Sequence, residues 1–402
     1  MTDAVIVATG RSPIGRAFKG SLVDVRPDDL TAHVVREVLA KIPQLDPHII
    51  EDLMLGCGQP AGESGFNIAR VVAILAGLDN VPGVTVNRYC SSSLQTIRMA
   101  AHAIKAGEGD VFISAGVETV SRFGAGASDS PKAVNPLFDD AMARTLRRSE
   151  KVTEPWSAQP GLADVYIAMG QTAENVAEYE KVSRAEMDEF AVRSQELAVE
   201  HQNNGFFERE IIPVTLPDGT TVAKDDGPRA GTTLEKLASL QPVFREGGTV
   251  TAGNACPLND GAAAVVVMSD TRAKELGLKP LARIVASGVS GLNPEIMGLG
   301  PIEACRQALS RAGMTIKDID LVEINEAFAA QVIPSARHLE IPLEKLNIRG
   351  GAIALGHPFG MTGARIMTTL LNSLEDADKR FGLESMCVGG GQGMAMIVER
   401  LD

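Results

Sequence analysis

The chain has 402 residues, 45% hydrophobic and 22% charged, a balance that excludes wholesale disorder and fits two or three domains or one large α/β unit. Forty glycines against 4% aromatic residues favour tight main-chain turns over an aromatic-rich β-sandwich. A formal net charge of −13 argues against nucleic acid or an anionic membrane as a partner.

MTDAVIVATG reads as a β-strand starting almost at residue 1, which leaves no room for a removable leader. Leu30 to Ile42 has helical spacing, and Asp52 to Gly58 is a short buried strand ending in glycine. FNIARVVAILAGL is a helix, GVTVNRYC a strand, SSSLQTIRMAAHAIKAG a helix stopped by Gly107, and DVFISAGVE another buried strand. The same order returns towards the C-terminus. PIEACRQALSRAG is a helix, DIDLVEINEAF a strand running into a turn, and PSARHLE a helix. LNIRGGAIA then reads as a strand, MTGARIMTTLLNSL as a helix, and ESMCVGGGQGMAMIVE as a strand pair. The two passages match at an offset of roughly 270 residues, which predicts two duplicated βαβ-rich halves with mostly parallel central strands.

The expected boundaries are 1–120 for the first half, completed by about 250–270, and 271–402 for the second. Residues 121–249 break the rhythm with prolines, Trp156 and loop signals, and read as an inserted loop domain covering a site built by the halves. No apolar run reaches the roughly 18 residues that span a bilayer, and VERLD carries no targeting address. The cysteines Cys57, Cys90, Cys256, Cys305 and Cys387 are scattered, without a CxxC pair or a neighbouring histidine cluster. That spacing argues against disulfides and bound metal and for a reducing cytoplasm.

Candidate chemistry gathers where predicted strands end. Cys90 lies where a strand runs into a helix, so free N–H groups and the helix dipole should favour its thiolate. Taken alone it reads better as an inert buried thiol, and the strand–cysteine–helix setting brings the two readings level. His357, in GGAIALGHPFGMTG, is held among glycines and Pro358 ahead of a helix, as a positioned general base or a satisfied turn residue. Cys387 ends a buried strand before Gly389, Gly390 and Gly391, whose amides could form an oxyanion hole. In NEAFA, Asn325 could orient a water or donate to a second oxyanion, and Glu326 reads either as catalytic or as a brace for the turn. All lie past the C-terminal ends of predicted parallel strands, where ligands of open α/β sheets bind, so they should converge.

Over essentially its whole length the sequence resembles the thiolase family of acyl-CoA C-acyltransferases. The resemblance rests on NRYCSSSL, MGQTAENVA, TVTAGNACPLNDGAAA, GLGPIEA, NEAFAAQ, GGAIALGHPFGMTGARI and CVGGGQGMA, in the family's order. It implies a five-layered α-β-α-β-α fold with a loop domain, assembled as a homodimer or homotetramer. It also implies coenzyme A as co-substrate with no permanently bound cofactor. By matching position, Cys90 is the acylated nucleophile, His357 its base, Cys387 the acid/base for the α-proton, and Asn325 the holder of a water completing one oxyanion hole. The amides of Cys90 and Gly389 form the other.

Arg229 matches an arginine near the adenine end of CoA, and Met169 a methionine lining the acyl pocket. Ala252 and Cys256 of TAGNAC and Phe328 of NEAFA fall in substrate-contacting motifs. The remaining basic residues of the insertion, Arg144, Arg147, Arg148, Lys151 and Lys224, read as solvated charges.

Three positions depart from the family's pattern. Ser93 stands where glycine is common, Ala168 where the short-chain branch often has histidine, and Cys256 where serine is usual. The implied activity is reversible thiolysis of 3-ketoacyl-CoA, of the fatty-acid β-oxidation type. A ketoacyl-synthase-like condensing enzyme, which generally pairs its cysteine with two histidines, and a redox protein oxidising Cys90 with Cys387 are the alternatives.

Overall fold

The computed structural model describes residues 2–150 and 154–401, so Lys151 of the basic run lies outside the described residues. Nine strands follow one another through a continuous ladder. They are β1 (Ala4–Arg11), β2 (Asp52–Cys57), β3 (Gly83–Val86), β4 (Val111–Thr119), β5 (Asn259–Ser269), β6 (Ala282–Gly291), β7 (Leu321–Ile324), β8 (Phe381–Val388) and β9 (Gln392–Arg400). Their spatial order is β7-β8-β9-β6-β1-β5-β4-β2-β3. The β1–β6 junction is only the pairs Val5–Arg283 and Ile6–Ala282, so the ladder is two sheets joined at a corner.

Within each half the strand order is the same. The first runs 3-2-4-5-1 in its own numbering. The second repeats this with its third member reduced to one parallel bridge, Val322 to Leu346. This reduction corrects the strand expected over LNIRGGAIA. There the Asn347 side chain takes the place of a strand, accepting from the Ile324 N–H at 2.9 Å and donating to its carbonyl at 2.9 Å. Gly350, at φ 81°, then turns the chain into the short helix Ala352–Leu355.

The central strands are also not mostly parallel. β2 pairs parallel with β3 and β4, and β7 with β8, but β5 runs antiparallel to both its neighbours. β9 likewise runs antiparallel to β8 and β6, because the last two strands of the second half form a hairpin.

Strand alternation sorts the side chains into layers. Val5, Leu53, Ile113 and Val266 face α1 (Pro27–Ala40) and α2 (Ile68–Leu75) on one outer side. Ile6, Met54, Phe112, Val265, Met386 and Met396 enclose two middle helices, α3 (Ser92–Ala106) and α8 (Thr362–Asp376). Val322, Leu383 and Ile397 face the other outer layer, where α6 (Gly300–Ala312) and α7 (Ala329–His338) pack. The sequence of layers is therefore α-β-α-β-α. Residues between β4 and β5 supply α4 (Met169–Tyr179), α5 (Arg184–Asn203) and a small hairpin, but no strand of the large ladder among the described residues. No helix among the described residues is long and apolar enough to cross a membrane.

The middle helices are pinned where they start. Ser93 Oγ accepts from the Ala364 N–H at 2.9 Å, and a Cβ at Gly363 would run into Leu94. Ser93 needs no left-handed backbone there, since it is not among the residues with positive φ.

The segment between β4 and β5 is anchored to the body by Arg11 at the end of β1. Its guanidinium is fully buried, bonding Glu210 at 2.7 Å and Asp225 at 2.7 and 2.9 Å. Removing one partner of such a buried cluster leaves uncompensated carboxylates, so Arg11→Ala should cost about 3–5 kcal/mol in denaturant unfolding. A loss below about 1 kcal/mol would show that the cluster does not anchor the segment.

Candidate active site

The strand ends deliver the candidate residues to one place. β3 ends at Val86, and Tyr89–Ser91 forms a single tight turn leading into α3, with Cys90 buried at its centre. Tyr89 holds φ 42°, an unusual conformation for a large side chain, and this turns the chain sharply at the cysteine. The main-chain N–H groups of Gly389 and of Cys90 itself point at the Cys90 sulfur.

Two residues earlier, Arg88 donates to Gln392 Oε1 at 2.8 Å, and Gln392 Nε2 donates to the Gly389 carbonyl at 3.3 Å. The nucleophile loop and the glycine loop after β8 are thus laced together. Cys387, fully buried near the end of β8, interacts electrostatically with Cys90 and with Cys256. Three sulfurs lie close enough to feel one another's charge.

His357 and Asn325 stand together in a wall of their own. Asn325 follows β7, its N–H held by the Ser385 carbonyl at 2.9 Å, which sets it beside the strand bearing Cys387. Its amide nitrogen lies 3.3 Å from His357 Nε2. On the other side of the ring, Nδ1 is 2.6 Å from Thr362 Oγ1, whose hydroxyl donates to the Pro358 carbonyl at 2.8 Å. The hydroxyl proton is therefore committed, so Thr362 accepts from Nδ1–H, and Nε2 is the unprotonated nitrogen, accepting from the Asn325 amide. Asn325 Oδ1 is buried without a partner among the described residues, an acceptor aimed at nothing in the unliganded chain. Glu326 braces this wall, accepting from Ser194 at 2.6 Å, Asn347 at 2.8 Å and the Ile353 N–H at 3.1 Å.

Burial corrects one electrostatic expectation. Desolvation pushes the Cys90 thiol up to about 11, outweighing the Gly389 and Cys90 N–H groups that lower it. Cys387 and Cys256 are raised by the same cause and by the neighbouring sulfurs. Burial, with Arg365 nearby, holds His357 down to about 3. The resting site therefore contains neutral thiols and a neutral imidazole, not the thiolate that the helix start alone would favour.

The remaining candidates lie around this centre. A Cβ on Gly389 would meet the Tyr89 ring at 3.4 Å and the Met169 sulfur at 3.8 Å, which places the half-buried first residue of α4 against the glycine loop. Cys256 hangs from the Ala327 carbonyl by its N–H at 3.0 Å, and Ala255 bridges Phe328, whose ring stands edge-on to Phe244. Ala252 is exposed in the turn before them. Arg229 is also exposed. Gly227, two residues before it, leaves no room for a Cβ against Ala354, three residues before His357.

Sequence reasoning missed Arg88, Gln392 and Thr362, which hold the loops and the ring. It also missed Glu118, a carboxylate ending an otherwise apolar strand run, a placement that was the available signal. Among the described residues no group of three or more His, Cys, Asp and Glu side chains could hold a metal ion.

Comparison with known proteins agrees with this architecture. Residues 4–271 match the thiolase N-terminal domain and 278–400 the thiolase C-terminal domain. The chain is 44% identical over 412 residues to the 3-oxoadipyl-CoA/3-oxo-5,6-dehydrosuberyl-CoA thiolase of Escherichia coli K12, covering 100% of both. It is 42% identical over 412 residues to a 3-ketoacyl-CoA thiolase of Bacillus subtilis, covering 99% of this chain and 100% of the relative.

Among solved structures, the dimeric peroxisomal thiolase of Saccharomyces cerevisiae superposes with a TM-score of 0.89 at 38% identity, covering 99% and 97% of the two chains. The acetyl-CoA acetyltransferase of Bacillus anthracis gives 0.86 at 40%, covering 100% and 99%. With both domains matched in order and relatives similar from end to end, the chain belongs to the thiolase family.

Proposed function

We propose that this chain cleaves 3-ketoacyl-CoA with coenzyme A into acetyl-CoA and an acyl-CoA two carbons shorter, and runs the reverse Claisen condensation, through an acyl group on Cys90. The observation that carries this reading is the pairing of two buried thiols, one receiving the Gly389 N–H, together with a buried imidazole whose Nε2 is unprotonated and held by the Asn325 amide.

The steps follow from the protonation states. His357 Nε2 takes the Cys90 proton as the sulfur attacks the 3-keto carbon. The resulting oxyanion, the atom that becomes the thioester oxygen of acyl-Cys90, is met by main-chain amides of the Cys90 and Gly389 loops, at about 3 kcal/mol per donor. The C2–C3 bond then breaks, its electrons forming the acetyl-CoA enolate, and Cys387 gives its proton to C2. The enolate oxygen of acetyl-CoA is met by the new His357 Nε2–H and by a water held at Asn325, whose unpartnered Oδ1 supplies the acceptor for that water. Incoming CoA loses its thiol proton to the Cys387 thiolate and attacks the acyl-Cys90 carbonyl, and the departing Cys90 sulfur recovers its proton from His357. A resting state in which both thiols keep their protons is the one from which the cleavage direction starts.

Arg229, Ala252, Cys256 and Phe328 border the mouth as CoA contacts, and Met169 lines the acyl side. Ala168 is small and exposed ahead of Met169, which leaves space for acyl groups longer or bulkier than acetoacetyl and supports a degradative, β-oxidation-type role. Five free cysteines suit a reducing cytoplasm.

A homodimer or a tetramer built from it completes the reading. β3 ends the sheet with one edge unpaired, and beside it Phe66 is 96% exposed, with Ile74 and Leu75 of α2 also exposed. Light scattering should give at least twice the chain mass, and a monomer at micromolar concentration would remove this edge as an interface.

Rates of thiolysis on acetoacetyl-CoA, a medium-chain 3-ketoacyl-CoA and 3-oxoadipyl-CoA would rank the acyl group. Incubation with any accepted substrate should leave an acyl mass on the Cys90 peptide, and Cys90→Ala should lose both label and turnover. Cys387→Ala should retain the label while losing about 10³-fold or more in turnover; full turnover by that variant would exclude its role. In the unliganded chain, Cys90 alkylation should rise about tenfold per pH unit between about pH 8 and 10, because only the thiolate reacts and the thiol titrates near 11. A plateau reached by pH 8 would contradict the buried neutral thiol.

A further inference from the structure

A carboxylate unused in these steps lies at the seam between the two halves. Glu118 is fully buried near the C-terminal end of β4. It accepts three main-chain hydrogen bonds, from Gly58 at 2.8 Å, Gln59 at 3.2 Å and Gly360 at 3.0 Å. The first two donors follow β2, whose parallel neighbour β3 leads to Cys90, and the third is three residues past His357. One side chain therefore spans the nucleophile's sheet and the turn that carries the imidazole.

The surroundings leave that turn little freedom. A Cβ on Gly58 would meet the Glu118 carboxylate at 2.8 Å and Phe359 at 3.2 Å. On Gly360 it would run into the Val117 carbonyl, and it would lie 2.6 Å from the Gly56 carbonyl. The turn rests main chain on main chain, and the carboxylate ties down the remaining amide.

We propose that Glu118 is a positioning residue of this active site, whose carboxylate holds the His357 turn in register with the loop carrying Cys90. The proposal rests on the Cys90–His357 chemistry set out above. An ionised carboxylate suits three converging N–H dipoles because both its oxygens accept, whereas an amide would turn a donor towards one of them.

Its charge has a second consequence, since the carboxylate opposes the Cys90 thiolate. Burial raises Glu118 itself to about 7, against the lowering by its three N–H donors, so it changes charge near neutrality. The titratable groups facing it are the Cys57 thiol of β2 with its sulfur at 3.8 Å and the Cys90 thiol; His357, three residues before Gly360, stays neutral.

Glu118→Gln and Glu118→Ala, compared with the unaltered enzyme, test this in two ways. The first is kcat and KM for thiolysis of acetoacetyl-CoA. The second is the pH dependence of Cys90 alkylation by iodoacetamide, followed by mass with Cys57 and Cys305 as unreactive internal controls. A displaced turn should lower kcat on the order of 100-fold in Glu118→Ala and about tenfold in Glu118→Gln, with KM within about threefold.

In the unaltered enzyme the logarithm of the alkylation rate should climb less steeply around pH 7, where Glu118 gains its charge, than above it. In Glu118→Gln it should climb with one slope throughout. If Glu118→Ala does not fold, the Gln variant carries both readouts. The proposal fails if kcat stays within about twofold in Glu118→Gln, or if the two alkylation curves superimpose. Absence of thiolysis by the unaltered enzyme would instead overturn the assigned reaction, while the alkylation comparison would still report on Glu118.

Discussion

The two halves of the molecule meet at the site on glycines that bring the main chains into close contact. Gly56 and Gly116, on β2 and β4, face the His357 turn and the start of α3 so closely that a Cβ on either would strike Ser93 or the Gly360 carbonyl. Gly363 does the same against Leu94. Main chain against main chain leaves almost no lateral play, and close packing of this kind transmits position rather than absorbing it. An imidazole and a sulfur more than 260 positions apart can therefore share a cavity, although they sit on different sheets' worth of structure.

The same close approach excludes water, and that decides the electrostatics. A thiol at a helix start would ordinarily be acidified by the dipole and free amides. Here burial wins, raising Cys90 from an ordinary 9.0 to about 11, a cost to the thiolate of about 3 kcal/mol. In the proposed mechanism, amides that fail to ionise the resting sulfur still serve, because they stabilise charge only once it develops on a bound substrate. A neutral His357 fits this, since a ring held near 3 has an empty Nε2 at any physiological pH. The resting site is quiet, and the substrate must supply the environment that moves the first proton.

Much of this was legible in the sequence, for identifiable reasons. The duplication shows because βαβ units repeat their periodicity, and the strand-end rule brings Cys90, Asn325, His357 and Cys387 to one end of the sheets from spacing alone. Local pattern failed where a side chain replaced main chain. LNIRGGAIA looks like a strand, but Asn347 satisfies Ile324 through its amide and the two glycines that follow turn the chain away. It failed again over strand direction, because a hairpin and a crossover leave similar apolar runs, and the expectation of mostly parallel central strands did not allow for antiparallel β5 and β9. Thr362 and Glu118 stayed hidden as well, since their partners are main-chain groups or residues that sequence spacing does not bring together.

The convergence of the two thiols proposed to be catalytic is open to direct measurement. A three-carbon bis-electrophile such as 1,3-dibromoacetone, added to the folded protein and followed by proteolysis and mass analysis, should join the peptide carrying Cys90 to the peptide carrying Cys387. Each sulfur modified singly, with no such linked pair even at low reagent excess, would show that they do not face one cavity.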